Sequence, residues 1–297
     1  MSKIIDTAHK PVKSFSSQLA FKVHDEEEFT EAIGSIREGI GRIGQPFDTA
    51  LAHANLPDEI AEVGGIACIA EEAVKGQQLT VEGYSHGGTI YFYGVVESVL
   101  YPGTPSFQRY QYPSTLPQDV RDRATADSER VIRQIGLDWV PFNIEFFWDP
   151  DTGRLNLLEV NPRHSQSHAQ MFEAVDGAPN HQVMAQLALG RDPRMPRREG
   201  EHAVAGKWFY RRFTNATVRH APTDDEIAAV EEHNPGVRIT VLPHDGMRLD
   251  ELPDQDSYSF ELAHLYIGAR NEEDMQAKYD RCVAALPFEF DEVGGRT

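Results

Sequence analysis

The residues with the clearest capacity for chemistry are two glutamates, Glu145 and Glu159, which lie fourteen positions apart. The segments around them are rich in aromatic and branched apolar residues, and the run 149–153, Asp-Pro-Asp-Thr-Gly, has turn composition. This pattern predicts a β-hairpin. With the turn centred on residues 151–153, Glu145 lies directly opposite Glu159. Asn161 then lies on the same face as Glu159, because side chains alternate along a strand.

Two carboxylates placed across a hairpin repel each other, so this arrangement predicts a bound cation. Carboxylate and amide oxygens are hard ligands suited to Mg²⁺ or Mn²⁺, with substrate phosphates and water completing the coordination shell. Arg163 follows two residues after Asn161 and offers a planar fork for phosphate or carboxylate oxygens. The alternative is a solvated hairpin whose glutamates face water, but apolar neighbours such as Ile144 and Val160 disfavour it.

The elements that position this hairpin can be predicted from periodicity and turn residues. Residues 10–23 indicate a strand, a serine-containing loop and a returning strand, and acidic residues from Asp25 begin a helix. Residues 39–65 are predicted as loop with one short helix at most. The remaining predictions are a strand at 66–74, a hairpin at 79–99, an ordered loop at 102–117, helices at 119–135, 169–175 and 181–188, an exposed boundary at 191–198, strands at 203–213, 237–242 and 258–268, and helices at 224–232 and 272–285.

The composition excludes several classes of protein. A formal net charge of −19 and a pI near 5.0 argue against sequence-independent nucleic-acid binding and against an anionic membrane surface. No apolar run approaches the roughly 20 residues needed to span a bilayer, and the first residues lack the apolar core of a signal peptide. Cys68 and Cys282 lie far apart and suggest neither a disulfide framework nor a thiolate metal site. We therefore expect a cytoplasmic protein.

The hairpin residues resemble a motif of a known family. Glu145 and the run Glu159-Val-Asn-Pro-Arg163 resemble the metal-binding signature of the ATP-grasp enzymes, and the continuation to His168 is closest in spacing to the carbamoyl phosphate synthetase version. The resemblance implies that the two glutamates and Asn161 hold magnesium ions that bridge ATP phosphates. It also implies a catalytic role for Arg163 in steadying an acyl-phosphate intermediate.

The same resemblance implies a fold class and a division of the chain. The fold is α+β, of the ATP-grasp type, in which two α+β subdomains hold the nucleotide between them and a small C-terminal α+β domain follows. Residues 1–76 would form a partial first subdomain, residues 77–192 the second subdomain with the metal-binding hairpin, and residues 193–297 the C-terminal domain.

The phosphate-binding residues implied by the resemblance lie near the start of the chain. Lys10-Pro11 resembles the family's strand lysine, which meets the α and β phosphates of ATP, and Ser16 and Ser17 fall where the family's mobile phosphate loop lies. A lysine reaching from a strand acts on phosphate as a point charge. The glycine expected near Leu19 is absent, so the backbone approaches phosphate less freely. The alternative for Lys10 is an ordinary surface lysine.

The adenosine-binding residues implied by the resemblance follow at the predicted strand near residue 70. Glu71, Glu72 and Val74 resemble the hinge strand whose backbone groups pair with adenine. Gln78 stands where the family has a glutamate for the ribose hydroxyls, and its amide can still form those hydrogen bonds without charge assistance. The alternative is an acidic strand end without a binding role.

Other polar residues have two interpretations. They could face a second substrate, or they could be structural, as lone histidines and arginines usually are; the residues concerned are Glu82, Arg109, His164, Gln166 and His168. The sequence contains no Ser-His-Asp triad pattern, Walker loop or Rossmann glycine pattern, so competing nucleotide-binding folds find no support.

The resemblance implies an ATP- and Mg²⁺-dependent ligase that makes an acyl phosphate from a small carboxylate for attack by an amine. Two alternatives are a catalytically silent nucleotide-binding regulatory or scaffolding protein and a biotin-carboxylase-like enzyme that uses bicarbonate. ATP-grasp enzymes normally carry a further domain before the Lys-Pro strand, whereas nine residues precede Lys10 here. Three explanations are open: the chain is a piece of a longer one, a separate chain supplies that half of the acceptor site, or catalysis has been lost. A homo-oligomer is a further expected partner, and we expect low activity from this chain alone.

Overall fold

A computed structural model of the chain describes residues 7–11, 19–54, 56–253, 255–256 and 258–292. The α-helices in these residues are α1 Glu26–Leu51, α2 Asp58–Ala61, α3 Gln118–Ile135, α4 Ala169–Asp176, α5 His181–Ala188, α6 Asp224–His233 and α7 Glu272–Ala285. The strands are β1 Thr7–Pro11, β2 Phe21–Val23, β3 Cys68–Glu72, β4 Gln77–His86, β5 Thr89–Leu100, β6 Phe107–Tyr112, β7 Val140–Trp148, β8 Leu155–Asn161, β9 Val204–Arg212, β10 Ala216–His220, β11 Val237–Val241, β12 Phe260–Ala269 and β13 Glu289–Glu292.

The described chain confirms the predicted α+β class and divides into two compact units. The first is formed by residues up to Val74 together with residues 253–259, and the second by the remaining residues from Lys75 onwards. In the first unit, β1 lies between β2 and β3 in an antiparallel sheet. The predicted strand and returning strand near residues 10–23 are present as β1 and β2, whereas Ser16 and Ser17 lie outside the described residues.

The prediction of a loop over residues 39–65 is wrong, because α1 runs through the first part of it and α2 follows. Glycine lowers helix propensity, which is why this stretch lacks a helical signal. At Gly44 the missing side chain serves close packing instead. A Cβ there would lie 2.3 Å from the carbonyl oxygen of Gly65, and Asp48 fixes the same approach by accepting a 2.7 Å hydrogen bond from the Gly65 amide.

The second unit is built on an eight-stranded sheet with the order β11-β12-β9-β6-β5-β4-β7-β8. The predicted hairpin near residues 79–99 is confirmed as β4 and β5. Gly87 and Gly88 connect these strands with φ angles of 59° and 77°, a left-handed turn that only glycine adopts without strain. The metal hairpin, β7 and β8, extends the sheet beyond β4.

One face of this sheet packs on α3, which the sequence predicted as an amphipathic helix. Val120, Ala124 and Ile132 of α3 are buried against apolar residues of β4 and β7, including Ile144 and Phe146. Because strand side chains alternate, residues between the apolar ones point to the opposite face. Glu145 therefore lies on the face of the sheet away from α3.

Part of the segment predicted as an ordered loop, residues 102–117, is a strand. β6 pairs with β5 on one side and with β9 on the other. The four prolines that suggested a loop lie outside the strand, two before Phe107 and two after Tyr112. They flank β6 without removing any of its ladder hydrogen bonds.

The segment after residue 198 continues the same sheet. β9 pairs with β6 from Arg109 opposite Trp208 to Tyr112 opposite Ala205, and β12 and β11 follow beyond β9. Hydrogen bonds therefore cross the predicted boundary at 192, and the division into a second and a third domain there remains a prediction. β10 and β13, which the sequence analysis did not predict, pair in a sheet of two strands.

We expect a chain cut at residues 191–198 to stay associated. Arg197 and Arg198 are exposed, so a site-specific protease sequence inserted between them will be accessible. After cleavage, the β6–β9 ladder and the apolar cluster in which Ala205 packs with Tyr112 and Phe172 should hold both fragments together. Size-exclusion chromatography checks this: one peak is expected in native buffer and two in denaturant. Two peaks in native buffer would show that the flanking regions are separable domains.

Two further observations bear on the composition. No helix within the described ranges combines the length and the apolar character that a bilayer span requires. Cys68 is exposed and Cys282 is buried, and both are free thiols. Burial raises the pKa of the Cys282 thiol to about 11, so this thiol is a poor nucleophile at neutral pH.

Candidate functional site

The register of the β7–β8 hairpin confirms the predicted pairing of its glutamates. Glu145 lies opposite Glu159 and Asn143 lies opposite Asn161, and the register shifts by one residue beyond Glu145, towards the turn. Gly153 allows the turn, with a φ of 68° and an amide that donates to the carbonyl of Asp149 at 2.8 Å. The turn and this one-residue shift together set the register that brings the two carboxylates opposite each other.

The two carboxylates occupy different environments. Glu145 is half-buried, and burial followed by the charge of Glu159 raises its pKa. The charges of His168 and Arg163 and a hydrogen bond from Gln78 act in the opposite direction. Glu159 is exposed. A cation between the two groups would relieve the repulsion that makes ionised Glu145 unfavourable.

Asn161 is held beside this pair. It is buried, and its Nδ2 donates to Asn143 Oδ1 at 3.1 Å and to Glu145 Oε1 at 3.5 Å. Asn143 is fixed in turn, because its Nδ2 donates to the carbonyl of Arg163 at 2.8 Å. Rotation of the Asn161 amide by half a turn would place its oxygen next to Glu145, as a metal ligand requires.

The donor set fits a divalent cation that is shared with phosphate. It consists of two carboxylates and one amide, and no group of three or more His, Cys, Asp or Glu side chains suited to a metal occurs among the described residues. Mg²⁺ commonly takes one or two protein carboxylates and completes its shell with phosphate oxygens and water. The residues present therefore suit Mg²⁺ better than a metal whose ligands must all come from protein side chains.

Gln78 and Arg163 also lie at the carboxylate pair. Gln78 Nε2 donates to Glu145 Oε2 at 2.8 Å, so the structure joins Gln78 to the predicted metal ligands. Its predicted bond to a ribose remains a prediction. Arg163 is exposed, and its charge lowers the pKa of Glu145, so its guanidinium is available to a ligand near the pair.

The nucleotide-binding residues predicted in the first unit lie on neighbouring strands. Lys10 of β1 forms an ion pair with Glu71 of β3, with Nζ 3.3 Å from Oε2. Glu72 ends β3, and Val74 follows it as an exposed residue. Their contacts with ATP remain predictions. The ion pair to Glu71 fixes the position of the Lys10 ammonium group beside β3.

Glu82 and His168, for which the sequence allowed either a substrate-binding or a structural role, form a buried pair. The pair lies on the sheet face that carries Glu145. Glu82 Oε1 is hydrogen-bonded to His168 Nδ1, and both side chains are nearly inaccessible to solvent. Tyr93 Oη and Asn180 Nδ2 donate to the other carboxylate oxygen at 2.7 and 3.0 Å. Burial and the charge of Glu82 raise the pKa of Tyr93 well above its usual value, so Tyr93 remains a donor.

Lys207 is the functional candidate that the sequence analysis missed. It lies on β9, is 7% exposed, and burial lowers its pKa to about 8. Its Nζ lies 3.4 Å from Ser167 Oγ, 4.9 Å from the ring centre of Phe209 and 5.7 Å from that of Tyr266. The available signal was a lysine inside a strand of apolar and aromatic residues, where a charge is costly without a partner.

Lys207 shares a sheet face with the carboxylate pair. Tyr110 lies opposite Lys207 in the β6–β9 register. Along the same face, Gln78 lies opposite Ser98 and Ser98 lies opposite Tyr110. Burial and then the charges of Glu145 and Glu261 raise the pKa of Tyr110. The face thus presents carboxylates at one end and a desolvated lysine at the other.

The remaining candidates have structural contacts. Arg109 lies on the opposite sheet face, where its guanidinium is 4.7 Å from the ring centre of Trp208 and its Nε donates to Gln111. His164 is buried against His181, with 2.8 Å between the two ring nitrogens, and Gln166 is exposed. Arg109 therefore does not join the other residues at the carboxylate pair.

The described fold, the β7–β8 hairpin and its donor set define the class of protein. A family model described as an ATP-grasp domain matches residues 6–170, more than half of the chain. The chain belongs to the ATP-grasp family.

Among characterised proteins, the chain is similar to the large chain of carbamoyl phosphate synthase. It is 41% identical over 73 residues to that protein from Halomonas eurihalina and 42% identical over 73 residues to that from Rhodopirellula baltica. Each match covers 25% of this chain and 6% of the relative. The similarity is therefore confined to a short segment of a much longer protein.

Among solved structures, the chain is similar in fold to an L-amino acid ligase from Bacillus licheniformis, with a TM-score of 0.68 and 16% identity. The match covers 99% of this chain and 66% of that one. The biotin carboxylase domain of 2-oxoglutarate carboxylase from Hydrogenobacter thermophilus matches with a TM-score of 0.63 and 14% identity, over 97% of this chain and 58% of that one. This chain thus spans about two thirds or less of these structures.

Proposed function

We propose that this chain is an ATP- and Mg²⁺-dependent ligase that joins a small carboxylate to an amine through an acyl phosphate. The observation that supports it best is the register of β7 and β8, which sets Glu145 opposite Glu159 with Asn161 beside them. Membership of the ATP-grasp family and the similarity in fold to an L-amino acid ligase favour carbon–nitrogen bond formation.

In this proposal the hairpin holds the cation. Glu145, Glu159 and Asn161 are the ligands, and bound Mg²⁺ supplies charge neutralisation for the phosphates of ATP. Lys10 would act on the same phosphates as a point charge. The rest of the nucleotide would be bound by three groups of residues. The phosphates would meet Ser16 and Ser17, the adenine would pair with the backbone at Glu71, Glu72 and Val74, and the ribose would contact Gln78.

The carboxylate substrate would lie on the sheet face between the hairpin and β9. Lys207 offers a buried positive charge with one long hydrogen bond to Ser167, so a carboxylate would complete its coordination. Arg163 is exposed and offers its planar fork to the phosphoryl group. Both cations would offset the negative charge that develops as the carboxylate attacks the γ-phosphorus of ATP.

The experiment that tests the proposal is release of ADP by the purified chain. We expect ADP release to require Mg²⁺ and to rise when pairs of the twenty common amino acids are supplied. Release that depends on bicarbonate alone would instead indicate a carboxylase-like enzyme. ATP binding with no turnover for any pair, even at high protein concentration, would favour a nucleotide-binding regulatory protein.

A further inference from the structure

His168 has the features of a general base. Its side chain is 6% exposed, and its Nδ1 is hydrogen-bonded to Glu82, whose side chain is fully buried. A carboxylate only accepts, so Nδ1 carries the proton in this bond and Nε2 of the neutral ring keeps its lone pair. The partner thus selects the tautomer in which Nε2 can accept a proton.

Glu82 is itself held firmly, which fixes the direction of the imidazole ring. Tyr93 and Asn180 both donate to Glu82 Oε2, and Asn180 also donates to the carbonyl of Ser165 at 2.7 Å. Ser165 lies three residues before His168, so the same network fixes the backbone on which His168 stands. A buried, fully engaged carboxylate behind a histidine is a positioning group, as in enzymes with an acid–histidine pair.

The Nε2 atom of His168 is not sealed from solvent. In the described chain, the fully buried polar side-chain atoms without a partner are Arg121 Nε, Asn180 Oδ1 and Trp208 Nε1. His168 Nε2 is not among them, and no described residue is hydrogen-bonded to it. Nε2 is therefore not fully buried, and its lone pair is not taken by another described residue.

His168 also lies at the proposed site of reaction. In its protonated form His168 lowers the pKa of the Glu145 carboxyl, and its ring contacts that of Tyr110 edge-on, with 5.1 Å between the ring centres. The preceding residue, Ser167, contacts Lys207. His168 is therefore close to both the carboxylate pair and the buried lysine.

We propose that His168 is the general base for the amine nucleophile and that Glu82 positions it; this rests on the proposed ligase function. An amine reaches the site as an ammonium ion, which has no lone pair. Nε2 takes one proton, the nitrogen lone pair attacks the acyl carbon, and the bond from that carbon to the phosphate oxygen breaks. Phosphate leaves, and the second amine proton goes to it, so that amide and hydrogen phosphate are formed.

The test separates acyl-phosphate formation from amine attack. Hydroxylamine is largely unprotonated at neutral pH and traps acyl phosphates as hydroxamates without a base. The amino-acid pair that gives the most ADP release is used for both assays. With His168→Asn, which keeps an amide nitrogen for Glu82, we expect hydroxamate formation near the wild-type rate. Amide formation should fall on the order of 10²-fold or more.

A second variant keeps the test informative if His168→Asn is unstable. Glu82→Gln retains hydrogen bonding to Tyr93 but weakens the hold on the Nδ1 proton, so amide formation should fall while hydroxamate formation persists. Equal loss of both products in the folded variants, or unchanged amide formation, would overturn the role of His168. Absence of both products in the wild-type protein would instead refute the ligase function itself.

Discussion

Replacing Glu159 with Gln is expected to abolish most of the Mg²⁺ dependence of ATP binding and to lower kcat/KM by on the order of 10²-fold. The change removes one of two facing carboxylates, and with it the attraction for a divalent cation. Glu159 is exposed, so the fold should be unaffected. Calorimetric titration of ATP with and without Mg²⁺, together with steady-state rates of ADP release, measures both effects.

The Glu145→Gln variant provides a second test, because its expected effects on activity and on stability have opposite signs. Burial and the Glu159 charge raise the pKa of Glu145, so the folded state holds this proton more tightly than the unfolded state. Stability from this group is present at low pH and is lost as pH rises through the folded-state pKa. At neutral pH without Mg²⁺, Glu145→Gln should therefore unfold at the same or a higher temperature than wild type, while losing activity.

A matched control is available on α6, where Glu232 is exposed and no contact of its side chain is described. Glu232→Gln changes the net charge by the same amount and should leave ATP affinity and its Mg²⁺ dependence unchanged. If Glu145→Gln and Glu159→Gln behave like this control, the hairpin is a solvated β-hairpin and the metal assignment is wrong.

The turn of the metal hairpin and the sheet face that carries Glu145 were predictable because their determinants are local. Gly153 and Asp149 define the turn, and the apolar residues on either side of Glu145 leave only one face for the carboxylate. The pairing of Glu145 with Glu159 also depends on the one-residue shift between Glu145 and Phe146, which neither the turn nor the hydrophobic pattern indicates. The helix α3 and the β4–β5 turn were predictable for the same reason.

The features that could not be predicted depend on segments far apart in the sequence. Gly44 by itself indicates a break in a helix. Its place inside α1 is explained only by its close contact with the Gly65 backbone, twenty-one residues away. The hydrogen bond from the Gln78 amide to Glu145 forms across the β4–β7 pairing, which the residues around Gln78 do not indicate. Lys207 acquires its environment only through the pairing of β9 with β6 and β12, which no local pattern specifies.

Replacing Lys207 with Met is expected to lower kcat/KM for the carboxylate substrate by on the order of 10²-fold, with little change in ATP affinity. Methionine keeps the length and apolar contacts of the lysine stem against Phe209 and Tyr266 but removes the charge. The measurement is the rate of hydroxamate formation against carboxylate concentration. Lys22→Met, at an exposed lysine of the first unit, is the control for loss of one positive charge.

The pH dependence distinguishes a binding role for Lys207 from a packing role. Burial lowers its pKa from 10.5 to about 8, with Glu261 opposing and Arg211 reinforcing the shift. In the wild-type protein, acyl-phosphate formation should therefore decline as pH rises through about 8, where Lys207 loses its proton. Lys207→Met should lack this decline, because its low activity no longer depends on that proton.

The same shift predicts a gain in stability for the variant. A lysine whose pKa is lowered by folding costs stability while it is charged, and the cost disappears as pH rises from about 8 to 10.5. Lys207→Met should thus melt at a higher temperature than wild type at pH 7 and at a similar temperature near pH 10. Binding of a carboxylate at the Lys207 ammonium group would offset this cost. A variant with wild-type activity and an unchanged pH profile would assign Lys207 to packing alone.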